Sequence, residues 1–299
     1  MKSYELGVYE KAMPAALSWK EKTEAAKEAG YDYIEISIDE TDAKLSRLDW
    51  SHQERRDLVS LMFETGIPIR TMCLSGHRKY PLGHPDAAMR ERGMEIMEKA
   101  ICLADDLGIR IIQLAGYDVY YEEGSKETRA LFLENLKRSV EMAAAKGILL
   151  GFETMETDFM NTTEKAMAYV HVVQSPYLGV YPDLGNITNA AVLALSGEPD
   201  PAAPPSAEAV RERVAADLET GRGHLFAMHL KETVPNVFRE VPFGTGHVQF
   251  EAGIRKAWEL GVRRFVTEMW YTGNPAWQED LRQAVSMMRP LLPPAGITQ

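Results

Sequence analysis

The sequence predicts a single (β/α)8 barrel, and three observations lead there. Short apolar, often β-branched runs recur eight times along 299 residues, with helical stretches between them. Several of these runs are apolar throughout, as strands covered on both faces are. Most of the helical stretches stop at a glycine that feeds the next run, the punctuation of left-handed helix ends with short connections. Barrels of this kind commonly occupy about 250 residues as one domain, so residues 1–299 are expected to form one unit. A doubly wound open sheet is the runner-up. It is weakened by the lack of a Gly-x-Gly-x-x-Gly after the first strand.

The elements follow in order. Tyr4–Tyr9 is the first expected strand, and the amphipathic stretch Ser18–Ala29 stops at Gly30. Tyr33–Ile38 is the second strand. The helix Ser51–Thr65 opens on Ser51 with Glu54 three residues on, a capping box, and stops at Gly66. Ile69–Leu74 is the third strand, followed by a helix over Pro85–Leu107 ending at Gly108. Ile109–Leu114 is the fourth, followed by Ser125–Lys146 ending at Gly147. Ile148–Phe152 and Leu178–Tyr181 are the fifth and sixth, and a short helix is expected over Asn189–Leu195. The prolines of Ser196–Ser206 disfavour a helix or central strand, so this segment reads as an insertion on the face carrying the strand-to-helix loops. A solvated surface excursion is the plainer reading of it, ahead of a substrate lid. Leu225–Leu230 and Arg264–Thr267 complete the eight strands, with Phe250–Leu260 between them stopping at Gly261.

Composition bounds the function. The net charge of −11 disfavours non-specific nucleic-acid binding, which needs a basic footprint. It leaves an anionic substrate open, because a few local donors hold phosphate in a protein of any net charge. No apolar run approaches the roughly 20 residues that span a bilayer. The N-terminus runs straight into a strand and lacks the apolar stretch of a signal peptide. Cys73 and Cys102 make no disulfide framework and read as two buried thiols of a cytoplasmic protein.

Four strand ends in the second half carry metal-friendly side chains: Glu153 in Gly-Phe-Glu-Thr-Met, Asp183 in Tyr-Pro-Asp-Leu-Gly-Asn, His229 in Met-His-Leu-Lys-Glu and Glu268 in Thr-Glu-Met-Trp. They are separated by 30, 46 and 39 residues, and one strand–helix–strand step takes roughly 30 or more. They therefore read as equivalent positions on four successive parallel strands, at the end of the barrel where catalytic residues sit. Three carboxylates and an imidazole suit one divalent ion, Mn²⁺, Mg²⁺, Co²⁺ or Zn²⁺, and the ligand set alone does not choose among them; Mn²⁺ or Zn²⁺ is the leading expectation. Singly, each residue has a plainer reading: a solvated glutamate, a satisfied core histidine, an aspartate capping the next turn. Together they point to a metal site with two spare bases. Such an ion polarises a ketose carbonyl and acidifies the neighbouring C–H, and a carboxylate then removes that hydrogen. Glu153 and Glu268, three strands apart, are placed to flank a sugar and serve its two faces.

At these residues the chain resembles the L-ribulose-5-phosphate (L-xylulose-5-phosphate) 3-epimerases of the xylose-isomerase-like barrels. The resemblance runs nearly end to end through Gly7–Pro14, Asp39–Asp42 with Arg47–Trp50, Met72–Gly83, Ile112–Tyr121, Tyr181–Asn186, His229–Thr233, Val241–Gly246 and Glu268–Trp270. The segments around His77 and Tyr117 are its most specific parts. It implies that Glu153, Asp183, His229 and Glu268 bind the metal and that Glu153 and Glu268 form the acid/base pair. It also implies a homodimer or homotetramer. The chain departs from the family in the proline-rich insertion and in two extra acids, Glu156 and Asp158, beside the proposed base.

Several residues on the same face are expected to hold the substrate. Lys11, His77, Arg78 and Lys231 lie just after strands, where positive charge or donors meet a phosphate. Arg78 and Lys79 also read as ordinary surface ion pairs. Gly244-Thr245-Gly246 offers backbone donors after the seventh strand, although a plain turn is the default there. Asn186 is expected to contact a sugar hydroxyl, Tyr117 to wall the pocket, and Trp270 to exclude water. The leading expectation is a metal-dependent 3-epimerase of a ketopentose 5-phosphate. The alternatives on the same site are a 3-epimerase of unphosphorylated ketoses and an aldose–ketose isomerase. A barrel nuclease is disfavoured by the acidic balance and the scattered histidines. A non-catalytic sugar-binding barrel is disfavoured by the presence of two bases.

Overall fold

In a computed structural model, which describes residues 3–196 and 205–293, the eight expected strands all form. They are β1 (Glu5–Tyr9), β2 (Tyr33–Ile38), β3 (Ile69–Leu74), β4 (Ile111–Ala115), β5 (Leu149–Glu153), β6 (Leu178–Val180), β7 (Met228–Leu230) and β8 (Arg264–Thr267). They belong to one parallel sheet in the order β6-β5-β4-β3-β2-β1-β8-β7. The ring closes between its two end strands. Parallel bridges join Val180 to Leu225 and Asp183 to His229, and the backbone N–H of His229 donates to the Pro182 carbonyl at 2.9 Å. The closing seam thus puts two of the four candidate ligands side by side.

The helices are α1 (Trp19–Ala29), α2 (Asp42–Leu45), α3 (His52–Thr65), α4 (Ala87–Leu107), α5 (Lys126–Ala145), α6 (Thr163–Val173), α7 (Leu184–Ser196), α8 (Ala207–Thr220), α9 (Phe250–Glu259) and α10 (Trp277–Met288). Their starts are chemically set. Ser18 with Glu21 and Ser51 with Glu54 form capping boxes at α1 and α3, satisfying amide groups the first turn would leave bare. Gly30, Gly66 and Gly108 end α1, α3 and α4 in the left-handed conformation. Most of the proline-rich segment, 197–204, lies outside the described residues; Ser196 ends α7 and Ser206 caps α8.

Apolar side chains between strands and helices form the main core, among them Ile34, Ile36, Met97, Leu136, Phe152 and Trp258. A second, smaller cluster gathers Tyr9, Tyr33, Cys73, Ile111, Tyr181, Ala227 and Val266 from seven different parts of the ring. One irregularity matters below. In the β2–β3 ladder Ile34 pairs with Ile69 but Glu35 pairs with Thr71, so Arg70 is skipped. Such bulges re-aim side chains, and they cluster beside active sites.

Beside β1, Glu10 is buried against Lys22 at 2.9 Å and Arg47 at 2.6 Å, with Lys44 in the same group. Burial opposes its ionisation, but these cations outweigh burial and hold its carboxyl far below the usual range. Among the described residues, no helix is long and apolar enough to cross a membrane.

Candidate metal centre

Glu153 closes β5, His229 is the middle residue of β7, and Asp183 and Glu268 stand just beyond β6 and β8. Ligand atoms from all four lie within 4.8 Å of one another, and all four residues are buried. His229 Nδ1 is the hub. It lies 3.3 Å from Glu153 Oε1, 3.3 Å from Glu268 Oε2 and 3.8 Å from Asp183 Oδ2. Asp183 serves two purposes: its Oδ1 accepts the Asn186 amide at 2.6 Å, capping the first turn of α7, while Oδ2 faces the cluster. The capping reading the sequence offered for this aspartate therefore applies, and its second oxygen is left to face the cluster.

Lys231 lies 3.2 Å from both Asp183 Oδ2 and Glu268 Oε2. These are ion-pair distances, yet neither oxygen receives a well-directed hydrogen bond. Two buried carboxylate oxygens turned toward an imidazole nitrogen, without hydrogen bonds of their own, suit a small divalent cation at their meeting point. The donor set of one nitrogen and several oxygens fits Mn²⁺ and Zn²⁺ alike.

The local electrostatics are split. Burial and the neighbouring Glu268 carboxylate push Glu153 up. Burial also opposes the ionisation of Glu268, but Lys231 and His229 outweigh it and hold that carboxyl well below the usual range. Burial drives Asp183 up, with Lys231 pulling the other way.

The residues expected to hold substrate divide. Lys231 joins the ligand cluster directly. Asn186 is buried behind Asp183, donating to the Thr154 carbonyl at 2.7 Å and leaving its own Oδ1 without a partner. Lys11 pairs with Asp39 at 2.6 Å. The Arg78 guanidinium sits 4.6 Å from the Tyr120 ring centre, with Nε buried and unpartnered. Tyr117 is buried and packs with Ala115 and Met155, beyond the ends of β4 and β5. The Trp270 ring lies 5.8 Å from Lys231 Nζ and edge-on to Tyr9. A cavity of about 170 Å³ opens beside Glu268 and Trp270.

His77 has another orientation. Its Nε2 bonds the Gly93 carbonyl of α4 at 3.0 Å, and the ring is 5 % exposed. Burial pushes it down to about 4. The sign follows: between pH 6.5 and 4 the unfolded chain binds a proton here that the native chain refuses, so stability falls as pH falls through that window. Titrating the fold from pH 7 to pH 4 is expected to remove about 3 kcal/mol through this group. Denaturant midpoints of His77→Gln, compared with the parent at both pH values, should show that part of the loss gone.

The Gly244–Gly246 turn already holds an anion of its own. Glu232, 3 % exposed, accepts the Gly244 amide at 3.0 Å and the Val248 amide at 3.1 Å. A Cβ at Gly246 would come within 2.2 Å of the Thr233 carbonyl and 2.3 Å of the Glu232 carboxylate. The plain-turn reading fits this loop better than a phosphate cradle.

Sequence reasoning missed two polar side chains that reach His229 inside the ring, Glu35 and Gln113. Glu35 Oε1 lies 2.6 Å from His229 Nε2, and Glu35 Oε2 accepts from Thr71 Oγ1 at 2.7 Å and from the Tyr181 hydroxyl at 2.9 Å. Gln113 Nε2 lies 3.1 Å from His229 Nδ1. The available signal was an acid in the middle of the apolar run Tyr-Ile-Glu-Ile-Ser-Ile.

A parallel barrel with one buried acid-and-imidazole cluster at its strand ends defines a class, and residues 23–291 match the model of the xylose isomerase-like TIM barrel family. Two curated relatives narrow it. The L-ribulose-5-phosphate 3-epimerase UlaE of Escherichia coli (strain SMS-3-5 / SECEC) is 44 % identical over 270 residues, covering 90 % of this chain and 88 % of that protein. The protein of the same name from Salmonella paratyphi C (strain RKS4594) is 42 % identical over 301 residues, covering 100 % and 98 %. The chain belongs to the L-ribulose-5-phosphate 3-epimerase family, an isomerase-class family of sugar epimerases within those barrels. Solved structures share the fold at low identity. A D-psicose 3-epimerase in the presence of D-fructose aligns with a TM-score of 0.74 at 18 % identity, covering 96 % of this chain and 99 % of that one. An L-ribulose 3-epimerase aligns at 0.68 and 17 %, covering 96 % of this chain and 95 % of that one.

Proposed function

We propose that this chain inverts carbon 3 of a ketopentose 5-phosphate, interconverting L-ribulose 5-phosphate and L-xylulose 5-phosphate with one divalent ion. One observation carries the reading: Glu153 and Glu268 reach the same imidazole nitrogen, at 3.3 Å each, from β5 and from the end of β8. Glu153, Asp183, His229 and Glu268 hold the ion. When bound, it would supply Lewis-acid pull on the sugar's carbonyl.

The chain's own groups do the rest. One glutamate takes the C3 proton from its face of the sugar, and the electron pair left behind is spread onto the carbonyl oxygen. The other glutamate returns a proton to the opposite face, and configuration is inverted. The two carboxyls then end with their protonation exchanged, and the reverse exchange readies the next turnover. Lys231, fixed between Asp183 and Glu268, adds positive charge where the sugar oxygen gains negative charge. Tyr117 and Trp270 exclude water. Arg78 and Asn186 each have a buried polar atom to offer the substrate, and Lys11 stands on the β1 side of the mouth.

The test is isotopic. In deuterated water with Mn²⁺, L-ribulose 5-phosphate should gain deuterium at carbon 3 and convert to the L-xylulose epimer. D-fructose should react at a small fraction of that kcat/KM. Label at carbon 1 alone would establish an aldose–ketose isomerase, and equal rates on D-fructose would move the assignment to free ketoses.

A further inference from the structure

We propose that Glu35 is a positioning residue for the metal centre: clamped by Thr71 and Tyr181, it fixes His229 with Nε2 protonated and Nδ1 bare toward the ion. The inference rests on the metal reading above but not on the reaction assigned to it.

The geometry is specific. The imidazole has two nitrogens, and only Nδ1 faces Glu153, Asp183 and Glu268. Nε2 faces away, onto Glu35 Oε1 at 2.6 Å. A carboxylate accepts but does not donate when ionised, so this contact places the proton on Nε2. Gln113 Nε2 lies 3.1 Å from Nδ1 and 3.4 Å from Nε2, so it does not by itself choose between them. The short contact with Glu35 therefore carries the choice of tautomer, the one able to bind a cation through Nδ1.

Glu35 itself has no freedom. It is fully buried, and Thr71 and Tyr181 both donate to its second oxygen. The bulge in the β2–β3 ladder supplies the alignment: by skipping Arg70 it sets Thr71 directly opposite Glu35. A buried acid is costly unless its oxygens are hydrogen-bonded, and here three partners on three other strands or strand ends share it. A carboxylate behind a ligating imidazole orients the ring and raises its basicity toward metal, and losing such a partner typically lowers affinity by about 10- to 100-fold.

The experiment measures Mn²⁺ and Zn²⁺ binding to the full chain after chelator treatment, by competition against a chromophoric chelator. Glu35→Gln should bind each ion about 10- to 100-fold more weakly, with the metal-free melting temperature near the parent's. Thr71→Val and Tyr181→Phe, each removing one donor to Glu35, should weaken binding by smaller factors and keep the proposal testable if Glu35→Gln does not fold. In a His229→Gln background Glu35→Gln should have no further effect on affinity, since Glu35 acts through that ring. Parent-like affinity in Glu35→Gln, or in both donor variants where Glu35→Gln does not fold, would overturn the proposal. So would a full additional loss in the His229→Gln background. A chain that binds metal in a Glu35-dependent way but leaves carbon 3 unlabelled would sink the epimerase reading and keep this one.

Discussion

Glu153→Gln should lower epimerisation by about 10²- to 10⁴-fold, the usual worth of a positioned acid or base, while the chain stays folded and retains an ion. The amide keeps the size of the carboxylate and one of its oxygens, so Asp183, His229 and Glu268 still converge. What it loses is the ability to carry a proton. Glu268→Gln should have an effect of the same order, and the two variants separate by isotope. Each retains one functional base, so each should still wash deuterium into carbon 3 of one epimer faster than it inverts the other. Single-turnover exchange read by NMR, run from L-ribulose 5-phosphate and from L-xylulose 5-phosphate, gives the comparison. If Glu153→Gln kept near-parental turnover with metal bound, the two-base assignment would be wrong even with the metal site intact.

The second large effect is His229→Ala. It removes the only nitrogen donor of the cluster and leaves three carboxylates and Lys231 around an emptied centre. A ligand that binds only the native state stabilises it by about 4 kcal/mol when present at about 1,000 times its Kd. The parent, stripped of metal, should therefore melt at a higher temperature as Mn²⁺ or Zn²⁺ is restored, and activity should return with it. His229→Ala should lose both responses together. Glu153→Gln should keep much of the thermal response and lose the activity. Calorimetric melting with and without added ion draws that line. A thermal response in His229→Ala equal to the parent's would remove the imidazole from the ligand set.

The same contrast explains what the sequence could and could not disclose. β2 and β3 carry β-branched or other apolar residues at least at every second position, so both were legible to the residue. Capping chemistry made α1 and α3 equally plain. β7 came out shorter than the run Leu225–Leu230, because Leu225 and Phe226 meet Val180 only through an isolated bridge and its adjoining hydrogen bonds. α7 begins at Leu184, ahead of the expected Asn189. Gly185 disguised its first turn; a Cβ there would come within 2.7 Å of the Lys231 carbonyl, so the residue is small for packing and not for flexibility.

At the centre, the four candidate ligands were visible because each follows directly on, or lies within, a short apolar run. Glu35 was not, because its meaning depends on a partner 194 residues away. His77 and Arg78 were equivalent on paper, both basic and both after β3. The fold turned one ring onto the Gly93 carbonyl and laid the other side chain against Tyr120.

The carboxylate of Glu232 inside the Gly244–Gly246 turn has a consequence for how substrate lies. A resident negative charge makes that rim inhospitable to any visiting one, as firmly as a steric block would. On the proposed function, a phosphorylated sugar with its reacting carbon near Glu268 would keep its charged tail off that rim, toward the β1–β3 side where Lys11, paired with Asp39, and Arg78 stand. Polarity of entry would then be decided by an acid that never touches the sugar.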